Sequence, residues 1–462
     1  MPLAALLWFR RDLRLGDHPA LLAAAERASR VLALFVLDPA LLRPAGAPRI
    51  AFLFRCLRAL REQLGGRLLV VRGNPERVVP AVAAELGAAS VHVTADHGPY
   101  GRARDDRVAR ELDRRGVALV RSGSPYAVPP GSVVAQDGRP HRLFTPFYRS
   151  WLRHGWPEPY ESGPSTVDWL DHGDARDWPG GTRLPDDPDL AGVELPEAGE
   201  TAALAAWAAF RDHRLAQYHD RRERPDLPGT SRLSAYLRFG CLHPRTVLAD
   251  LGGWWERSPS ARAFRAELAW REFYADVLWH RPDTARHNAD ARFDRMTYAS
   301  GDEATERFAA WCDGRTGYPF VDAGMRQLLA EGWMHNRARM VVASFLTKDL
   351  HLPWWWGARH FMRHLVDADL AANQHAWQWV AGSGVDAAPY FRVFNPIRQG
   401  ERFDPNGDYV RRYVPELRAI PGARVHRPWL FPGGPPGGYP MPIVDHPHER
   451  REALRRYSAV KR

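Results

Sequence analysis

Three cysteines in 462 residues, two lysines among 64 basic residues, and no apolar run long enough for a bilayer are the scarcities of this sequence. Cys56, Cys241 and Cys312 have no metal-like spacing and no evident pairing, which suits a reducing cytoplasm. A transmembrane helix needs about 20 apolar residues, so none is expected. The opening MPLAALLWFRRDLRLGD is apolar only briefly and then charged; it reads as a first strand and not as a signal peptide. The loops G-x-G-x-x-G and G-x-x-x-x-G-K-[ST] are absent, so nucleotide binding through them is unsupported. No proton-transfer triad is legible, no metal is expected, and no fixed-period repeat appears.

What is abundant is arginine and tryptophan. The net charge is +10, and all basic residues except Lys348 and Lys461 are Arg. A polyanionic partner would suit that charge, although coding bias toward Arg explains it about as well. Twelve of the 18 Trp lie after residue 250, more than core packing needs.

Along the first ~125 residues, apolar runs at 6–9, 31–38, 68–73, 90–94 and 117–122 alternate with helical stretches such as 18–28 and 51–65. That alternation predicts a five-stranded, doubly wound parallel sheet in an α/β domain over residues 1–130. Residues 155–198 are rich in Pro, Gly and Asp, so 131–200 is read as a connector. From 201 to 462 the periodicity is helical, which predicts a large all-α domain.

Four short segments in the second half carry unusual groups. In DADLAANQHAWQW (367–379), Asp369, Asn373 and Trp377 fall four residues apart and share one face, whereas Trp379 points away. A plain capped helix, with Asp at its start and Trp in the core, is the competing reading. In GWMHNRARM (332–340), Asn336, Arg339 and Met340 share a face; alone, a basic surface helix explains them better. In ELAWREFY (267–274), Glu267, Trp270, Arg271 and Tyr274 form a stripe that an ordinary amphipathic helix would make aliphatic. GTSRLSAYLRFG (229–240) reads as a helix N-terminus whose hydroxyls and free N–H groups suit a phosphate, or as a simple cap. Together they describe a site for a nucleotide-like cofactor.

These motifs, with WFRRDLRLGDHPAL (8–21), TGYPFVDAGMRQL (316–328) and YPMPIVDH (439–446), closely resemble the DNA photolyase/cryptochrome family over nearly the whole chain. The resemblance implies an N-terminal α/β antenna domain and a C-terminal helical domain holding FAD. It assigns Tyr218, Thr230, Ser231, Leu233 and Ser234 to the FAD phosphates and nearby groups. Arg271, Asn336, Arg339, Asp367, Asp369 and Asn373 fall around the flavin ring and the rest of the cofactor. Arg339 and Asp367 match a family ion pair, and Asn373 stands where photolyases carry Asn facing the reactive ring nitrogen.

The substrate implied is a pyrimidine dimer flipped out of DNA, with Glu267, Trp270, Asn336, Arg337, Met340 and Trp379 lining its pocket and Arg222 reaching a phosphate. Excited reduced FAD would donate an electron, the cyclobutane ring would split, and the electron would return. Trp377 and Trp354 match the first two donors of the family's photoreduction relay. Its third Trp is missing, and Tyr298 aligns there; Trp311, Trp355 and Trp356 are alternatives, each better explained by packing. The stretch DHGPYGRARD (96–105) resembles members with an 8-hydroxy-5-deazaflavin antenna, the alternatives being methenyltetrahydrofolate, a second flavin or no antenna. Phe35, Arg49, Tyr100 and Arg104 are the candidate contacts, with Arg104 equally explained as a solvated surface residue. The usual Asn-Gly-Gly before WQW is Gln374-His375-Ala376, and His375 could titrate near neutral pH. A cryptochrome-type photoreceptor is disfavoured by Asn373, the intact pocket and the short C-terminal extension. A (6-4) photolyase is disfavoured because Asn336 and Met340 stand where those enzymes carry His. A cytoplasmic monomer acting on damaged DNA is expected.

Overall fold

The computed structural model describes residues 4–390 and 392–461, in two compact units. The first unit runs to Leu190 and takes in Pro196–Leu215 and Ser231–Pro282; the second holds Ala191–Leu195, Ala216–Thr230 and the chain from Asp283.

In the first unit the five apolar runs become β1 (Ala4–Phe9), β2 (Arg30–Leu37), β3 (Leu68–Arg72), β4 (Ser90–Val93) and β5 (Ala118–Arg121). Runs this continuous suit strands covered on both faces. Neighbours pair in parallel in the order β3-β2-β1-β4-β5, with Leu7 beside Ala33 and Ala33 beside Leu68. A two-residue strand, β6 (Asp168–Trp169), adds to the start of β2, so the connector contributes a short sixth member to the expected five. Helices α1 (Pro19–Ala25), α2 (Ala47–Gln63), α3 (Pro75–Leu86) and α4 (Pro99–Asp113) make the crossovers. Proline in a first helical turn sacrifices no hydrogen bond. The Asn74 side chain accepts from Glu76 N at 3.0 Å to start α3, and Gly87, at φ 66°, ends it. The strand order reverses beside β1, which makes the C-terminal ends of β1 and β4 the switch point of the sheet.

Further helices of this unit include α5 (Phe144–His154), α6 (Ser234–Phe239) and α7 (Pro259–His280). The units therefore do not follow boundaries at residues 130 and 200. Buried carboxylates supply the reason. Glu272 on α7 accepts from Ala127 N at 2.5 Å, Val128 N at 3.1 Å and Trp151 Nε1 at 2.6 Å; Asp276 accepts from Gly131 N at 2.7 Å. Burial still pushes the Glu272 carboxyl above its ordinary pKa, with these donors opposing it. Two cysteines without sequence pairing meet here. Cys56 on α2 and Cys241 lie 3.5 Å apart, Sγ to Sγ, as buried free thiols.

The second unit contains α8 (Asn336–Ser344), α9 (Trp354–His364), α10 (Leu370–Ala381) and α11 (His446–Lys461). A single π turn, Phe345–Asp349, follows α8 and buries Lys348, whose Nζ donates to Tyr390 O and Arg392 O. The core collects Trp311, Phe320, Trp354, Phe361, Trp377 and Tyr409, so part of the tryptophan excess is packing. No described helix is long and apolar enough to cross a membrane, and no group of three or more His, Cys, Asp or Glu among the described residues could hold a metal.

Candidate active site

Asp369 caps α10: its Oδ1 accepts from Ala372 N at 3.1 Å. The stripe Asp369–Asn373–Trp377 thus begins just outside the helix, and the capped-helix reading holds for its first member. Asn373 is 9% exposed. Its Nδ2 donates to Ala358 O at 3.1 Å and to Gln374 Oε1 at 2.9 Å. Both partners are carbonyl oxygens, so the orientation of the amide is set. No donor among the described residues reaches Asn373 Oδ1, which stays an acceptor. Asp367 lies in the turn between α9 and α10. Its Oδ2 accepts from Arg339 Nη2 at 2.8 Å, while its buried Oδ1 has no partner among the described residues. Arg339 is itself braced by Nε donating to Met334 O at 2.8 Å. A buried acceptor without a donor calls for one from a ligand. The second unit thus supplies acceptors of the kind that the N–H groups of a flavin ring require.

Gln374 and His375, two of the departures before WQW, and Gln378 within it are stitched to Thr284–Ala289. Gln374 donates to Ala285 O at 2.7 Å, and Gln378 to Thr284 O at 2.8 Å while accepting from Ala289 N at 2.9 Å. His375 bridges Ala371 O at 2.7 Å and the Thr284 hydroxyl at 2.9 Å. Burial pushes its pKa down to about 4, so the expectation of titration near neutrality is corrected. The neutral ring donates from Nδ1 to the carbonyl and accepts from the hydroxyl at Nε2. An unfolded His takes up its proton near pH 6.5 and the folded one near 4, so native stability falls as pH drops through that window. The full difference is on the order of 3 kcal/mol. His375→Gln should flatten the loss of thermal stability between pH 6.5 and 4; an unchanged slope would refute this assignment.

Trp377 is 2% exposed and lies edge-to-face with Phe361 at 5.0 Å and Trp311 at 6.1 Å. A Cβ at Gly357 on α9 would stand 2.1 Å from its Cη2, so glycine is what lets the indole settle there. Trp354, 1% exposed, donates from Nε1 to Asn288 Oδ1 at 3.0 Å. Its ring meets Trp355 edge-on at 5.9 Å, and Trp355 meets Tyr298 edge-on at 5.2 Å. Trp355, which the sequence offers as packing, therefore stands between Trp354 and Tyr298. Trp311 is fully buried with Nε1 on Val342 O, which makes it core.

On α8, exposed Asn336 donates from Nδ2 to Met340 Sδ at 3.9 Å, which brings these two pocket candidates together. Arg337 donates to Glu223, and Glu223 also pairs with Arg222 at 3.5 Å. Glu223 was not legible as a functional residue; only its place beside Arg222 hinted at it. Tyr218 is buried, with the Arg222 guanidinium 5.3 Å above its ring, and Trp379 packs against the core. Gly229 precedes Thr230 where a Cβ would come 2.5 Å from Arg221 O.

The remaining candidates lie in the first unit. Ser231 Oγ accepts from Leu233 N at 3.4 Å. Helix α6 starts at Ser234 with Leu233 in the cap position and no side-chain cap. The helix start expected within residues 229–234 falls at its last position, and Arg232 takes a positive φ of 54° just before it. The first amides of α6 lack a capping side chain, as a phosphate site requires. On α7, Glu267 and Trp270 are part-buried. Arg271 spends Nη1 on Pro125 O and Nη2 on Leu237 O, both at 3.1 Å, and lies over Tyr126, so it braces loops as much as it could meet a ligand.

Of the antenna candidates, Phe35 on β2 and Arg49 on α2 are buried. The Tyr100 hydroxyl donates to Asp38 at 2.5 Å, which with burial raises its pKa. Arg104 is 3% exposed and pairs with Asp105 at 2.8 Å and Asp96 at 3.2 Å, so it is no solvated surface residue.

Two family models match the chain: one described as DNA photolyase over residues 5–165, the other as the FAD binding domain of DNA photolyase over residues 264–459. A deoxyribodipyrimidine photo-lyase of Streptomyces griseus is 43% identical, covering 96% of this chain and 96% of its own. A class III photolyase structure from Agrobacterium tumefaciens is 38% identical with a TM-score of 0.91, covering 100% of this chain and 98% of its own. An archaeal photolyase from Sulfolobus tokodaii, solved with two FAD molecules, is 29% identical with a TM-score of 0.85, covering 99% and 100%. With full-length relatives at such identity, this chain belongs to the DNA photolyase family, and its helical C-terminal region is that family's FAD-binding domain.

Proposed function

We propose that this chain repairs cyclobutane pyrimidine dimers in DNA under blue light. The observation that carries the reading is Asn373, an amide whose donors are spent on carbonyls and whose oxygen is left to accept. An acceptor there favours a protonated reactive nitrogen, as in the reduced flavin that repair needs, over a signalling flavin. Reduced FAD, on excitation, supplies the electron that opens the cyclobutane ring and recovers it afterwards.

The chain binds, orients and stabilises. In the second unit, Tyr218 and Thr230 hold the phosphate end of FAD, and Asn336, Arg339, Asp367, Asp369 and Asn373 its ring and linker. In the first, Ser231, Leu233, Ser234 and Arg271 do the same work. Photolyases act on an extruded lesion; a dimer stacks poorly, so flipping it costs less than flipping normal bases. Trp270 of the first unit and Trp379, Asn336 and Met340 of the second are the residues assigned to its puckered rings. Arg222 and Arg337 bind phosphates in exchange for Glu223, which makes affinity fall with salt. Glu267 hydrogen-bonds the dimer's carbonyl or imide groups and stabilises charge developing there. Glu267→Ala should therefore lower the quantum yield of splitting more than it weakens dark binding. An unchanged yield at saturating enzyme would remove Glu267 from the role.

For the antenna we favour 8-hydroxy-5-deazaflavin at the switch point of the sheet, on the likeness of residues 96–105, as in deazaflavin-type class I enzymes. Tyr100 and Arg104 already have partners in Asp38, Asp96 and Asp105, so the pigment would compete for them or meet Phe35 and Arg49. Chromatography of the released pigment separates deazaflavin from a folate or a second flavin. Acting on DNA as a monomer in the cytoplasm is consistent with the free thiols.

A further inference from the structure

Helix α5 carries Phe144, Tyr148 and Trp151 at i, i+4 and i+7, which puts three rings on one face. Phe144 lies flat against Trp270, ring centroids 3.8 Å apart and planes at 8°. Tyr148 continues the series at 5.5 Å and 15°, and Trp151 follows at 6.1 Å and 20°. The series is tied to α7 on both sides of Trp270. Buried Arg265 donates from Nε to the Tyr148 hydroxyl at 2.9 Å, and Trp151 Nε1 donates to buried Glu272 at 2.6 Å. Phe147 on α5 also packs on Phe273 of α7, at 5.2 Å.

Aromatic pairs usually settle offset or edge-on, with centroids 4.5–7 Å apart. At 3.8 Å the two rings overlap, and nothing can enter between them. One face of the Trp270 indole is thus permanently covered, and rotation of the ring would drive it into Phe144. Phe273 meets the same indole edge-to-face at 5.7 Å and Tyr274 packs on it at 5.4 Å, so the face away from Phe144 is what the indole can offer a ligand.

We propose that Phe144 is a positioning residue for lesion recognition: it fixes the plane of Trp270 so that the free indole face is presented ready to pack on the dimer. This rests on the reading of Trp270 as a wall of the dimer pocket. The benefit is pre-organisation, since a side chain already immobilised loses no rotamer freedom on binding.

The test measures dark affinity of the FAD-loaded enzyme for an oligonucleotide with one thymine dimer and for its undamaged counterpart. Phe144→Leu keeps an apolar side chain but removes the flat ring. It should weaken dimer affinity roughly 2- to 10-fold, the range expected for freeing one side chain. The loss should appear in KM for the dimer, leave affinity for undamaged DNA alone, and be rescued by Phe144→Tyr. Because Phe144 acts through the indole, the Phe144→Leu/Trp270→Ala double variant should bind the dimer no worse than Trp270→Ala alone. Additive losses, equal losses on both DNAs, or tighter dimer binding by Phe144→Leu would each overturn the proposal. If Trp270→Ala itself leaves dimer affinity unchanged, the pocket reading fails; if Trp270→Ala weakens binding and Phe144→Leu does not, the positioning role alone fails.

Discussion

Trp377→Phe is expected to leave bound flavin oxidised under blue light with an external reductant present, a near-complete loss of photoreduction. Trp377 is buried and pressed on Gly357. Phenylalanine fills much of the same space but is far harder to oxidise than indole. Trp311 also touches Trp377, as a fully buried core residue. The substitution should cost about 1–2 kcal/mol of stability, as core truncations of this size do, so melting curves separate misfolding from lost electron transfer. Repair by enzyme reduced beforehand should survive, since the relay serves reduction of the cofactor and not the splitting step. Trp354→Phe should act nearly the same way. Beyond Trp354 the next ring is Trp355, with Tyr298 behind it. Burial, with the Asp294 charge, pushes the Tyr298 phenol up to about 12, so it keeps its proton at neutral pH and resists oxidation. Trp355→Phe should therefore block reduction more strongly than Tyr298→Phe. A transient tyrosyl radical in wild type that vanishes in Tyr298→Phe would reverse that order and make tyrosine the terminus.

The parallel sheet was legible because each strand is a continuous apolar run, and the strands observed differ from those runs by only a residue or two at either end. The flavin stripe was legible because Asn373 and Trp377 sit four apart on one helix. What stayed hidden is pairing across the sequence. Arg104 looks like any basic residue on an exposed helix until Asp96 and Asp105 close on it in the fold. Glu223 gains its meaning only when Arg337, more than a hundred residues away, arrives on its other oxygen. Cys56 and Cys241 have no spacing rule that could join them. The compact units divide the chain differently from the expected domains for the same reason: α7 has a helical period like its successors, yet its carboxylates satisfy amides at 127, 128 and 131. Local periodicity reports which face is apolar, and it is silent on which distant backbone a buried carboxylate will find.

Arg339→Ala should be the most destructive change outside the relay, and its companions separate two roles of one ion pair. The Asp367 side chain is 4% exposed and its guanidinium partner 26%. Removing the arginine strands a buried carboxylate, which costs about 3–5 kcal/mol in a fully buried pair. Partial exposure of Arg339 places the expected loss near the lower end, about 3 kcal/mol. The loss of the Nε bond to Met334 O adds to it. Arg339→Lys should recover only part, because one ammonium cannot span Met334 O and Asp367 Oδ2 as the planar fork does. The decisive variant is Arg339→Leu with Asp367→Leu. It buries no unpaired charge, so the flavin-free protein should regain most of its thermal stability. It also removes the acceptor left open at Asp367 Oδ1, so flavin retention through dialysis should stay low. Retention that merely tracks flavin-free stability across the series would show the pair to be scaffolding, and would take Asp367 out of the flavin site.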